Sequence, residues 1–300
     1  MDMLAISRVS KTFGNRKVIN NLSFSVPEHS VFGFIGENGA GKTTTMRMIL
    51  GLLQKDRGQI TVNGEQVVYG QNRTNRYIGY LPDVPEFYGF MTPMEYLRLC
   101  GAVTGMTKKE TEDQAKKLLD MVELSHHEKR IRGFSRGMKQ RLGIAQALLN
   151  RPKLLICDEL TSALDPVGRK EILDILSSVR RHTTVLFSTH ILSDVERICD
   201  EVAFLHQGSI AFCGTMEEIK SAGSGRGYEV EFFRSQDAGA FAEVFQGGSR
   251  MDRNVLRYER KTEADMMRAM RFLGQRSIPV QRIQMLEPTL ESLFMEVTGR

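Results

Sequence analysis

Lys42 stands in GENGAGKTT, residues 36–44, where Gly36, Gly39 and Gly41 alternate with Glu37, Asn38 and Ala40 ahead of Thr43 and Thr44. Glycine permits a positive φ and close backbone approach, so successive N–H groups in such a loop can turn inward on an anion. At this spacing a lysine reaches β and γ phosphates, the Thr43 hydroxyl suits Mg²⁺, and Thr44 reaches the α phosphate. A second chemical pair closes KLLICDEL: Asp158 is placed to hold Mg²⁺ through water, and Glu159 to face an attacking water. The combined chemistry is cleavage of a nucleoside triphosphate held by its phosphates. A ligand-free glycine turn and two helix-capping acids are the plainer alternatives.

FSRGMKQRLGIAQ, residues 134–146, gathers Arg136, Lys139 and Arg141 around Gly137 where an amphipathic helix begins. A helix start already carries about half a positive charge and unpaired N–H groups, so cations there are unfavourable unless an anion docks.

The elements that must position these groups are legible as patterns. VFGFIG (31–36), KLLICD (153–158) and TTVLFST (183–189) are near-continuously apolar, as strands buried on both faces of a parallel sheet must be. Helical patterns lie between them, which predicts an α/β core. From about 85 to 150 helix signals dominate: Thr92-Pro93-Met94-Glu95 and Thr107-Lys108-Lys109-Glu110 each offer a capping box. SAGSGRG, residues 221–227, has the composition of a linker. Beyond it YEVEFF, NVLRYE and IPVQRIQML alternate with helical DAGAFAEVF, EADMMRAMRFLG and TLESLFMEV, a small α+β layout without recognisable chemistry.

Composition narrows the class. Hydrophobic residues make up 41% of the 300, charged residues 26%, and the formal net charge is +5, spread along the chain rather than gathered into a nucleic-acid arm. The amino terminus lacks a secretory pattern and no apolar run suits a bilayer, so a cytosolic protein is expected. Cys100, Cys157, Cys199 and Cys213 lack paired metal-type spacing and read as buried reduced thiols. No internal repeat is visible.

FSRGMKQR, preceding Asp158 in a chain that also carries the glycine loop, resembles the signature motif of ATP-binding cassette (ABC) proteins. Phe134, Ser135, Arg136, Gly137, Met138, Lys139 and Gln140 occupy the places of its LSGGQQQ-like consensus. The resemblance implies an α/β fold: a P-loop NTPase (RecA-like) core over residues 1–220, with an antiparallel β subdomain and an inserted helical subdomain at about 85–150. A linker (221–227) and an accessory α+β domain (228–300) would follow. It implies ATP and Mg²⁺ as cofactors, with Ser135 and Gly137, flanked by Arg136 and Met138, meeting the γ-phosphate of ATP held by another subunit.

SALD (162–165) resembles the D-loop that crosses the dimer interface, although Asp165-Pro166 also makes an ordinary helix cap. His190 resembles the switch histidine, and Phe13 the aromatic stacked on adenine, where core packing is the plainer role. Three positions depart from the family pattern. Asp83 stands where a glutamine is usual, with an approach to Mg²⁺ or its water expected of it. Arg136 replaces the first signature glycine, and Leu160 stands where proline is common. The closing EPTLESLFMEVTGR resembles the carboxy-terminal extension of ABC-2-type exporter subunits, including antibiotic-resistance and bacitracin-type systems.

Implied partners are a paired ATPase subunit, identical or not, and an integral-membrane permease set against residues 83–96. There Phe87, Tyr88 and Phe90 would serve as an anchor or as core. No nucleic-acid partner is expected, and the location implied is the cytoplasmic face of the membrane. A non-transport ABC ATPase or a regulatory ATP-binding module is the alternative. The stretch from Lys42 to Ser135 is too short for the long coiled coil of chromosome-organising cassettes.

Overall fold

Strands β1 (Asp2–Phe13) and β2 (Arg16–Pro27) pair antiparallel and alternate buried with exposed residues, the mark of a sheet with one wet face. The computed structural model describes all residues except 126–128, 163, 223–226, 260, 287–288 and 299–300. After β2 come β3 (Val31–Gly36), α1 (Lys42–Ile49), β4 (Arg57–Val62), β5 (Glu65–Gln66) and β6 (Ile78–Leu81). Helices α2 (Pro93–Val103), α3 (Lys108–Met121) and α4 (Arg136–Leu148) follow. The first unit closes with β7 (Leu154–Asp158), α5 (Pro166–Val179), β8 (Thr184–Thr189), α6 (Leu192–Ile198), β9 (Glu201–His206) and β10 (Ser209–Thr215).

The antiparallel sheet has the order β2-β1-β4-β5, and the central sheet β10-β9-β3-β8-β7-β6. In the central sheet every neighbouring pair is parallel except β10 with β9. Every residue of β3, β7 and β8 is buried, in keeping with their near-continuously apolar sequences. One core joins Phe24 to Phe32 and Phe34, with ring centroids 5.5 and 5.2 Å apart, and takes in Met46, Met48 and Ile49 of α1. Phosphate loop and α1 are thereby clamped to both sheets. Because β8 lies between β3 and β7, the loops after these three strands emerge side by side, where parallel sheets place ligands.

Both capping boxes form in the helical segment. Thr92 and Glu95 exchange side chain–backbone bonds at the start of α2, and Thr107 and Glu110 do so at α3. Ser135 is the N-cap of α4, its hydroxyl accepting from Met138 N at 3.2 Å.

The chain divides into two compact units, Met1–Thr215 and Met216–Arg300. The first therefore ends at Thr215, ahead of the expected residue 220. Helix α7 (Met216–Ala222) falls within the second unit. Ser221 and Ala222 close α7 and Gly227 opens β11 (Gly227–Phe232), so the expected linker shrinks to 223–226, outside the described residues.

The second unit continues with α8 (Ser235–Val244), β12 (Ser249–Asp252), β13 (Val255–Glu259), α9 (Glu263–Gln275), β14 (Val280–Leu286) and α10 (Leu290–Thr298). Its sheet order, β12-β13-β11-β14, is antiparallel throughout, the split β-α-β-β-α-β arrangement of ferredoxin-like folds. Tyr228, Val230, Phe232, Leu256 and Tyr258 form a core with Phe241 of α8 and Leu273 of α9. Glu229, on the alternate register of β11, pairs with Arg257 at 3.0 Å and Arg282 at 3.6 Å.

Among the cysteines, Cys157 and Cys199 are buried as expected, whereas Cys100 is half-buried and Cys213 exposed. Cys213 lies on β10, the edge strand of its sheet, which leaves it uncovered.

Candidate active site

The phosphate loop leaves β3 at Gly36 and enters α1 at Lys42. Gly39 and Gly41 adopt φ of 81° and 114°, and a Cβ on Gly41 would fall 2.5 Å from Ile19 Cδ1. Only glycine suits that position on both counts. Lys42 is 5% exposed, with its ammonium donating to the carbonyls of Gly36 at 2.5 Å and Glu37 at 3.2 Å. Its Nζ also lies 2.9 Å from Glu159 Oε1, close enough for an ion pair, yet that oxygen has no aligned hydrogen bond. A buried cation over a glycine loop, facing an under-coordinated carboxylate, suits an incoming phosphate.

Asp158 ends β7 almost fully buried. Its Oδ2 accepts from Thr43 Oγ1 at 2.7 Å and its Oδ1 from Ser188 Oγ at 2.6 Å. Two of the three expected metal-binding residues, from distant segments, thus meet as hard oxygen donors suited to Mg²⁺. Asp83 does not join them. Its Oδ1 lies 3.4 Å from Arg136 Nη2 and 3.5 Å from Ser162 Oγ, and no described hydrogen bond joins it to Thr43 or Asp158.

Glu159 follows with φ 49°, a left-handed backbone that costs a non-glycine residue about 1–2 kcal/mol. Its N–H donates to Ser188 O at 3.1 Å and Ser188 Oγ at 3.2 Å, which secures the turn. The carboxylate is thereby held between Lys42 on Oε1 and His190 Nδ1, 2.8 Å from Oε2. His190 follows β8 and is partly exposed, so the ring also has access to solvent. A carboxylate turned into strain and gripped on both oxygens is poised to hold or take a proton at a fixed place.

Other expected site residues lie apart from this group. Phe13 ends β1 about half exposed, with Lys11 Nζ 5.3 Å from its ring centroid, which removes it from the core. Ser135, Arg136, Gly137 and Met138 form the start of α4, and among the described contacts none joins them to Lys42, Thr43 or Asp158. Asp165 takes the N-cap position of α5 without a side-chain cap bond, leaving its carboxylate uncommitted there. Ala163, within SALD, lies outside the described residues.

Sequence patterns missed the supports of this site. Ser188 joins Asp158 to Glu159. Thr161 donates to Asp194 Oδ2 at 2.6 Å, tying the segment after Glu159 to the helix after His190; both side chains are buried. Burial raises the Asp194 carboxyl above the ordinary range, and the Thr161 bond opposes that rise. Neither residue belongs to a motif. Their signal is one of position: Thr161 lies two residues after Glu159, and Asp194 four after His190.

A parallel α/β sheet with a phosphate loop, an acid-ended strand and a histidine at adjoining strand ends defines a P-loop nucleotide hydrolase. Comparisons with known proteins narrow that class. The ABC transporter family model matches residues 19–162. The ABC transporter ATP-binding protein YxlF of Bacillus subtilis is 44% identical over 221 residues, 73% of this chain and 72% of that protein. The bacitracin transport ATP-binding protein BcrA of Bacillus licheniformis is 36% identical over 304 residues, 97% of this chain and 95% of that one. A solved ATP-binding subunit of an ABC transporter superposes with a TM-score of 0.67 at 33% identity, covering 73% of this chain and 92% of that structure. The chain belongs to the ABC transporter family and is one of its ATP-binding subunits, an ATPase.

Proposed function

We propose that this chain hydrolyses ATP as one of two paired ATPase subunits of an ABC-2-type exporter and drives a separate membrane permease. The observation that carries the paired form is the separation of two anion-seeking features. Lys42 and its loop lie at one strand end, the cation-rich start of α4 lies elsewhere, and no described contact joins them. Pairing two chains head to tail lets each α4 start meet a triphosphate held by the other chain's loop.

In that assembly Lys42 exchanges Glu159 and its carbonyl partners for β and γ phosphate oxygens. Glu159, freed on Oε1 and still held on Oε2 by His190, accepts a proton from the attacking water. Thr43 and Asp158 would hold Mg²⁺, which supplies positive charge to the phosphate oxygens. Ser135, Gly137 and the neighbouring Arg136 and Met138 offer N–H groups and charge to the γ-phosphate from the second chain, Asp165 lies at the pairing face, and Phe13 offers its exposed ring to adenine. Shifting open to closed from 1:99 to 99:1 takes about 5.5 kcal/mol of differential binding, within reach of two sets of charge-assisted contacts.

No helix among the described residues is long and apolar enough to cross a membrane. In the proposed assembly a separate chain supplies the permease and this one sits at the cytoplasmic membrane face. Tyr88 and Phe90 are 56% and 61% exposed, free to anchor such a partner, whereas Phe87 packs edge-on against Tyr96. Export is supported by full-length relatives: besides BcrA, the linearmycin resistance ATP-binding protein LnrL of Bacillus subtilis is 31% identical over 99% of both chains. The pairing is tested by turnover per chain on dilution. The rate should fall as dimers dissociate, and an undiminished rate from sedimentation-verified monomers overturns it.

A further inference from the structure

The cations around Gly137 require an anion, and α4 has no acidic residue in its first turn. The structure supplies one from a distant segment. Asp83 Oδ1 lies 3.4 Å from the Arg136 guanidinium, and its backbone carbonyl accepts from Gln140 Nε2 at 2.6 Å. Gln140 is buried, and its Oε1 has no partner, so this side chain is committed to gripping the Asp83 backbone. Ser162, whose hydroxyl also donates to Glu159 O at 2.9 Å, reaches the same Asp83 oxygen. Asp83 therefore touches the helix that awaits a phosphate and the turn that carries Glu159. It also heads residues 83–87, which line a cleft of about 480 Å³ together with Arg132, Arg136 and Lys139.

The Arg136 and Asp83 side chains are each about half exposed. Such a pair is weak and exchangeable, unlike the buried bond from Gln140. Arg141 pairs with Glu123 and Glu171, and Lys139 is in no described ion pair, so of the three cations Arg136 is the one that Asp83 holds. We propose that Asp83 is an internal stand-in anion, holding Arg136 until the γ-phosphate on the second chain displaces it and thereby loosening the 83–87 wall of the cleft. Nucleotide arrival is in this way reported at the cleft by a change of partner at one guanidinium. The exchange rests on the paired reading above; the contact between Asp83 and Arg136 does not.

Two measurements separate them. In the Glu159→Gln parent with ATP and Mg²⁺, Asp83→Asn removes the competing carboxylate and should tighten dimerisation about two- to fivefold by analytical ultracentrifugation. In an Arg136→Gln background the same change should do nothing; tightening equal in both backgrounds, or none in either, overturns the exchange. Without nucleotide, hydrogen exchange at the amides of Asp83, Val84, Glu86 and Phe87 should speed up in Asp83→Asn and in Arg136→Gln, the double variant adding nothing further. Unchanged exchange in both single variants overturns the stand-in contact. Failure of the parent to dimerise with ATP overturns the pairing, and the exchange with it, while the hydrogen-exchange result still judges the contact.

Discussion

The two units spend their buried polar groups differently. Of the described residues, the first unit buries Lys42, Asp158, Asp194, Gln140 and several hydroxyls, whereas in the second Glu229 is the one buried charged or polar side chain. In the first unit Lys42, Asp158 and Ser188 converge on the strand ends, and one neighbour, Glu159, occupies strained backbone. In the second, Glu229 is matched within its own sheet by Arg257 and Arg282, and the remainder is aromatic packing, with Tyr228 stacked on Tyr258 at 4.9 Å. Buried polarity that packing does not explain marks a place where a ligand completes the arrangement. Buried polarity satisfied locally marks a scaffold.

The sharpest way to break that contrast is Glu159→Gln. Phosphate release should fall by about 10²–10⁴ with ATP affinity retained, because the amide keeps its shape and loses its basicity. A rate within threefold of the parent would reduce Glu159 to a strained bystander. In the second unit Phe241→Ala, at the meeting of Phe232, Phe245 and Tyr258, should cost about 3–5 kcal/mol in that unit's unfolding transition and leave ATP affinity unchanged. A change in nucleotide affinity would show that the scaffold takes part in the chemistry.

Thr161→Val probes the supports of the site at smaller scale. It removes the Thr161 hydroxyl's hydrogen bond to the buried Asp194 carboxylate and leaves, among the described residues, Arg169 Nε 4.0 Å from the other oxygen. The expected loss is about 1–3 kcal/mol of first-unit stability at neutral pH. Because burial already raises the folded carboxyl, removing the opposing bond raises it further. The penalty is then full above the variant's folded value and fades as the pH falls through the raised folded values, because a protonated carboxyl no longer carries the charge the bond stabilises. A penalty independent of pH in denaturant melts would remove the charge from this account. Smallest is Thr262→Ala, which deletes the capping box with Asp265 and should cost the second unit about 1 kcal/mol. A thermal shift in the first unit's transition instead would contradict the division at Thr215.

What could be seen in the sequence was local. The glycine loop, the apolar strands ending in Asp158 and Thr189, and the boxes at Thr92 and Thr107 each depend on neighbours within a few residues, and each folds as its pattern requires. SRMD, which becomes β12, has no apolar alternation and is exposed at all four positions; it is a strand because β13 offers it hydrogen bonds. The ferredoxin-like order is similarly a matter of which strands meet. Ser188 with Asp158, Thr161 with Asp194, and Asp83 with Arg136 are pairs 30 or more residues apart, joined by topology rather than by motif.

The outer strands of the second unit bear on its fate before any partner arrives. At one margin β12 is four residues long and fully exposed, carrying Arg250 and Asp252; at the other, β14 presents Arg282. Charged borders, one of them also short, are poor templates for adding another chain's strand. A subunit that must wait for its membrane assembly can do so without seeding fibrils from that sheet.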